Sequence, residues 1–171
     1  LRKLAYIGLL SMMLLSACGD GGEENDHSNH NSGEIQSHDK TTHAANGDLQ
    51  EKTASADVMP SFLANQPEDI RIVYQVAGKA TDLLEWIPCY CGCGESAGHK
   101  SNLNCFIAEV QEDGSVVWDD HGTRCGVCLK IAAQSVQMKQ DGKSTLEIRQ
   151  WIDKNYAEGF AAPTDTKMPS A

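Results

Sequence analysis

Six cysteines fall within forty residues of this 171-residue chain: Cys89, Cys91, Cys93, Cys105, Cys125 and Cys128. Three sit in Pro88-Cys89-Tyr90-Cys91-Gly92-Cys93-Gly94 and two in Cys125-Gly126-Val127-Cys128. Core packing explains a single buried cysteine, not three in five residues. Such density leads to soft-metal binding, disulfides or thiol redox chemistry, and each of these constrains the fold wherever the thiols meet. Cysteines at i and i+2 do not bridge one another without strain. In an extended segment the thiols of 89, 91 and 93 project to one side. Gly92 and Gly94 let the loop curl and gather sulfurs around an ion. The pattern suits Cu(I), which forms sulfur-bridged clusters, or Zn(II).

Cys125 and Cys128 precede an apolar-periodic segment. A helix starting there offers free amides and a dipole that stabilise thiolates. Cys105 lies between the two groups, and His99 and His121 are close enough in sequence to complete a coordination shell. Asp119 or Asp120 is placed to orient His121 from outside that shell. The expected metal ligands are therefore Cys89, Cys91, Cys93, Cys105, Cys125, Cys128, His99 and His121. Two other readings stand beside this one. Six is an even number, so three disulfides are open to the chain, with fifteen pairings. A thiol oxidoreductase using Cys125 and Cys128 requires a βαβ context that the pattern does not supply. No nucleophile, base and orienter set is recognisable, so no catalytic residue is expected.

At the N-terminus, Arg2 and Lys3 precede an apolar run from Leu4 to Leu15, too short to span a bilayer comfortably. It ends in Leu15-Ser16-Ala17-Cys18, which resembles a bacterial lipobox. The resemblance implies a signal peptide at residues 1–17, cleavage before Cys18 and acyl chains such as palmitate on Cys18. The mature chain would then be lipid-anchored at the extracytoplasmic face of the cell membrane. Loss of Arg2 and Lys3 takes the formal charge from -10 to -12. So acidic a chain does not seek nucleic acid.

Residues 18–57 are polar, with His27, His30, His38 and His43 and few large apolar residues, and read as a disordered His-rich tether. The folded part is expected at residues 58–160, a single domain. Residues 161–171 are rich in Ala, Pro, Thr and Ser and are expected to fray. Periodicity predicts a mainly α fold: a small Cys-rich helical domain with at most one short β-hairpin, around Glu112-Asp113-Gly114. One helix is predicted from Pro67, closed by Gly78, and a short one from Thr81 to Trp86. Another runs from Gly126 to about Gln140, and a last one follows the capping box Ser144-Thr145-Leu146-Glu147.

Ile87-Pro88-Cys89-Tyr90-Cys91-Gly92-Cys93-Gly94, followed by Gly98-His99-Lys100-Ser101-Asn102 and Cys105-Phe106, resembles the bacterial lipoprotein family named after its PCYCGC motif. The similarity continues through Trp118-Asp119, His121-Gly122 and Cys125 to Cys128, as far as Glu147-Ile148-Arg149. That family is described as of unknown function, so the resemblance implies an exported lipoprotein and transfers no site residue. The expected activity, a thiolate site for capture, buffering or delivery of Cu(I) in preference to Zn(II), rests on thiol chemistry. The partners it calls for are the ion, the membrane through Cys18, and a protein that donates or accepts the metal.

Overall fold

Helix-period apolar residues and their caps become helices where the sequence places them. The computed structural model describes residues 41–170. Helix α1 (Glu68–Lys79) has Pro67 at its N-cap, Glu68 and Asp69 in its first turn and Lys79 in its last, an arrangement that complements the helix dipole. Its buried face carries Tyr74, Ala77 and Gly78. Gly78, expected to close the helix, lies inside it. A Cβ there would meet Trp118 Cη2 at 2.7 Å and the Ala56 carbonyl oxygen at 3.2 Å, so glycine is what lets α1 press on the sheet. Short helices α2 (Thr81–Leu84) and α3 (Cys93–Ser96) follow, then α4 (Gly126–Gln140) and α5 (Thr145–Tyr156). The capping box of α5 forms as expected: the Glu147 amide donates to Ser144 Oγ, and the Ser144 amide to Glu147 Oε2.

The fold is not mainly α. Strands β1 (Thr41–His43), β2 (Leu49–Thr53), β3 (Ile107–Val110) and β4 (Val116–Asp119) form an antiparallel sheet in the order β1-β2-β4-β3, making the architecture mixed α and β. The β3–β4 hairpin is the one expected. The other hairpin comes from the segment read as tether. Its strands are short and polar, so no alternation of apolar residues announces them. It is held by ladder bonds to β4, with Glu51 opposite Trp118, and by side-chain acceptors at and just beyond the end of β4. The Leu49 amide donates to Asp120 Oδ1 at 2.8 Å and Gln50 Nε2 to Asp119 Oδ2 at 2.9 Å. Asn46-Gly47 forms the turn, Gly47 at a φ of 87° that favours glycine. The expected cleavage site, Cys18, His27, His30 and His38 lie outside the described residues.

Trp118, Tyr74 and Phe106 form the centre of the core, with Tyr74 and Phe106 edge to face at 5.0 Å. Their polar ends are satisfied: Trp118 Nε1 donates to Thr53 Oγ1 and the Tyr74 hydroxyl to the Asp119 carbonyl, both at 2.8 Å. The segment after α5 does not fray. Ala161 N donates to the Tyr90 carbonyl at 3.1 Å and Thr164 N to the Cys89 carbonyl at 2.9 Å. Arg149, steadied by Asp153, reaches out of α5 to the carbonyls of Thr166 and Lys167 at 3.2 and 2.8 Å. Backbone pairing holds this segment, which its composition could not reveal. No helix among the described residues is long and apolar enough to cross a membrane.

Candidate metal centre

The Cys89–Cys93 loop emerges after α2, turns at Gly92 with a φ of 92°, and enters α3 at Cys93. On the facing side, a 3-10 turn after β4 delivers Cys125 to the N-cap of α4, with Cys128 in that helix's first turn. The two groups meet. Cys89 Sγ lies 3.4 Å from Cys91 Sγ and 3.3 Å from Cys128 Sγ, and Cys91 to Cys128 is 3.5 Å, which makes a nearly equilateral sulfur triangle. Cys93 extends it inward to Cys105 at 3.8 Å. All six cysteines of the described residues are free thiols. Cys89, Cys93, Cys105 and Cys128 are buried, whereas Cys91 and Cys125 are half-buried and mark the outer edge.

The histidines take separate places. His121 Nε2 lies 4.0 Å from Cys91 Sγ. His99, more deeply buried, points Nδ1 at Cys105 Sγ at 3.6 Å. The two rings meet edge to face at 4.7 Å. Three sets of four donors lie within 4.8 Å of one another: Cys89, Cys91, Cys93 and Cys128; Cys91, His121, Cys125 and Cys128; and Cys93, Cys105, His121 and Cys128. The described site thus brings together the six expected cysteines and His121. His99 joins only Asp48 and His121 in a set of three.

The residue that orients His121 is neither Asp119 nor Asp120 but Asp48, in the β1–β2 turn. Asp48 is 4% exposed. Its Oδ2 lies 3.1 Å from His121 Nδ1 and 3.9 Å from His99 Nε2, while its Oδ1 pairs with Arg124. This leaves His121 Nε2 facing the sulfurs, the carboxylate–imidazole arrangement common behind metal ligands. Asp119 instead accepts from the His121 backbone amide at 2.9 Å, and Asp120 pairs with Arg124. The Asn46-Gly47 dipeptide was the signal for a hairpin that carries an acid to this spot. Thr164, 4% exposed, is the other residue absent from the expected set. Its Oγ1 accepts from the Cys89 amide at 2.9 Å, fixing the loop from behind.

Crowding splits the thiols by acidity. The Cys91 thiol is held far below the ordinary range by the surrounding thiols, Cys105 first and then Cys125, Cys128 and Cys89. Cys89 is lowered to about 4, by Cys105 and then Cys128. Cys128 is pushed up, by Cys105 first and then Cys125, Cys89 and Cys91. His121 is raised, chiefly by its hydrogen bond with Cys91, and His99 is lowered, chiefly by burial. Thiolate is thus favoured at Cys89 and Cys91 and opposed at Cys128, and the neighbouring Cys91 favours the protonated form of His121. An incoming cation would replace protons that the cluster already shares.

These donors could hold a metal ion, and they are the soft ligands that favour a soft or borderline one. Neither a curated protein nor a solved structure matches the chain. The model of a family described as "Protein of unknown function with PCYCGC motif" matches residues 7–169, and the chain belongs to that PCYCGC-motif family.

Proposed function

We propose that this chain is a membrane-anchored extracytoplasmic lipoprotein that binds a soft metal ion, Cu(I) in preference to Zn(II), for capture, buffering or delivery. The function is binding, with no catalytic step. The sulfur triangle of Cys89, Cys91 and Cys128 carries the reading. Its edges are nearly equal, so it does not divide into pairs as a disulfide framework would. An ion at its centre would lie about 2.0 Å from each sulfur, short of the about 2.3 Å of a zinc–thiolate bond. An ion bonded to all three thiols would therefore leave room for a fourth donor on one side. Thiolates are soft ligands that suit Cu(I), the preferred ion, and also Zn(II). The lipobox-like Leu15-Ser16-Ala17-Cys18 supports the anchor.

The test is a competition titration of the reduced full chain with Cu(I) and Zn(II) chelators under anaerobic conditions. Sub-micromolar affinity for both ions, tighter for Cu(I), together with a rise in thermal stability on loading, is expected. Absence of such affinity overturns the metal reading, and an intact mass six hydrogens short in chain purified without reductant, with no reactive thiol, supports three disulfides instead. Labelled palmitate that fails to enter the chain in cells, or that still enters a Cys18→Ala variant, overturns the anchor.

A further inference from the structure

The geometry points to two ions rather than one, held in a dinuclear centre whose bridging ligands are the thiolates of Cys91 and Cys128. This rests on the thiolate-site reading above and adds its stoichiometry and connectivity. Two of the four-donor sets, Cys89, Cys91, Cys93, Cys128 and Cys91, His121, Cys125, Cys128, share two members and differ in the other two. Each set alone satisfies a four-coordinate ion. Together they offer six donors, more than one tetrahedral ion takes.

The shared pair has the right separation. Sulfurs that bridge two ions at bonds of about 2.3 Å, with angles at the metal of about 100–110°, lie about 3.5–3.8 Å apart. Cys91 Sγ and Cys128 Sγ are 3.5 Å apart. Cys89 and Cys93 are the terminal ligands of an inner ion, and His121 and Cys125 those of an outer one. The two halves differ in access. Cys89 and Cys93 are buried, whereas Cys125 and His121 are half-buried, so the outer ion is the exchangeable one. Cys105, against His99 and Cys93, stays outside the dinuclear core.

Cys125 allows a clean test. It is the N-cap of α4 and its side chain makes no capping hydrogen bond. Serine is a preferred N-cap, so Cys125→Ser removes a soft ligand from the outer ion without weakening the helix. The experiment loads the reduced full chain with Cu(I) alone and reads bound copper per chain and the X-ray absorption fine structure. Wild type is expected to saturate at two ions and show a metal–metal scattering path. Cys125→Ser is expected to retain one tightly held ion, lose the metal–metal path and keep its circular dichroism. Cys91→Ser is expected to lose that path as well. A wild-type chain that binds copper but saturates at one ion, or at three, overturns the dinuclear centre while leaving metal binding intact. So does a metal–metal path that survives in Cys125→Ser. A chain that binds no copper fails the underlying reading instead.

Discussion

Replacing Asp48 tests whether the metal centre depends on a residue some forty positions from its nearest ligand in sequence. In Asp48→Asn one oxygen becomes a donor, and the group must choose between its partners. Oδ2 accepts from Asn46 Nδ2 at 2.8 Å and faces His121 Nδ1 at 3.1 Å, while Oδ1 faces Arg124. Arg124 is half-exposed and keeps Asp120, so it can turn to solvent at little cost. The amide oxygen of the variant therefore stays on His121, and the amide NH2 turns toward the position that Arg124 vacates. What is lost is the negative charge behind the imidazole, not its orientation. Changes to groups of this kind cost about 10–100-fold in metal affinity, and the Asn variant belongs near the lower end, about tenfold or about 1.4 kcal/mol. Asp48→Ala, which also frees the ring to rotate, belongs near the upper end, about 100-fold. Chelator competition under reducing conditions measures both. Unchanged affinity in both variants, with folding intact by circular dichroism, refutes the role assigned to Asp48 and with it His121 as a ligand.

Gly78→Ala should destabilise the protein by about 1–3 kcal/mol from overpacking, outweighing a helix-propensity gain of about 1 kcal/mol. The Cβ would fall 2.7 Å from Trp118, whose ring is fully buried and tied to Thr53, and urea denaturation reads the net sign. Thr164→Ala leaves the buried Cys89 amide without its acceptor and should cost about 1–3 kcal/mol, with faster release of metal to a chelator; equal release rates would show that the strap is dispensable. NMR titration of the metal-free protein should place His121 above its ordinary value of 6.5 and His99 below it. The raised His121 contributes stability that is fully present below 6.5 and disappears as pH rises through its folded value, so melts of metal-free protein in which His121→Gln is compared with wild type should converge at high pH.

Helices α1, α4 and α5 were legible because each carries a local signature: acidic residues in a first turn, a capping box, apolar residues at helical spacing. The β3–β4 hairpin was legible from Gly114 between two β-prone runs. The β1–β2 hairpin was not. Thr41–His43 and Leu49–Thr53 are mostly polar, and their stability comes from pairing with β4, which no local pattern records. Gly78 reads as a helix stop in one dimension, and only the position of Trp118 shows why it belongs mid-helix. The thiol site was legible in membership because core packing does not call for three cysteines in five residues. Its internal arrangement was not, since the triangle joins Cys128 to Cys89 and Cys91 rather than the three loop thiols to one another. Asp48 and Thr164 were missed for a shared reason: each serves the site from a segment whose composition suggested no fold at all.

The bond between Thr164 and Cys89 has a consequence for the order of assembly. A nascent chain that has produced all six cysteines still lacks the residues that brace their loop, and α5, whose Arg149 secures the segment beyond it, is also unmade. Until residues 161–167 have folded against it, the Cys89 loop lacks the acceptor that fixes it from behind, so the thiols reach their finished arrangement only together with the segment that follows α5.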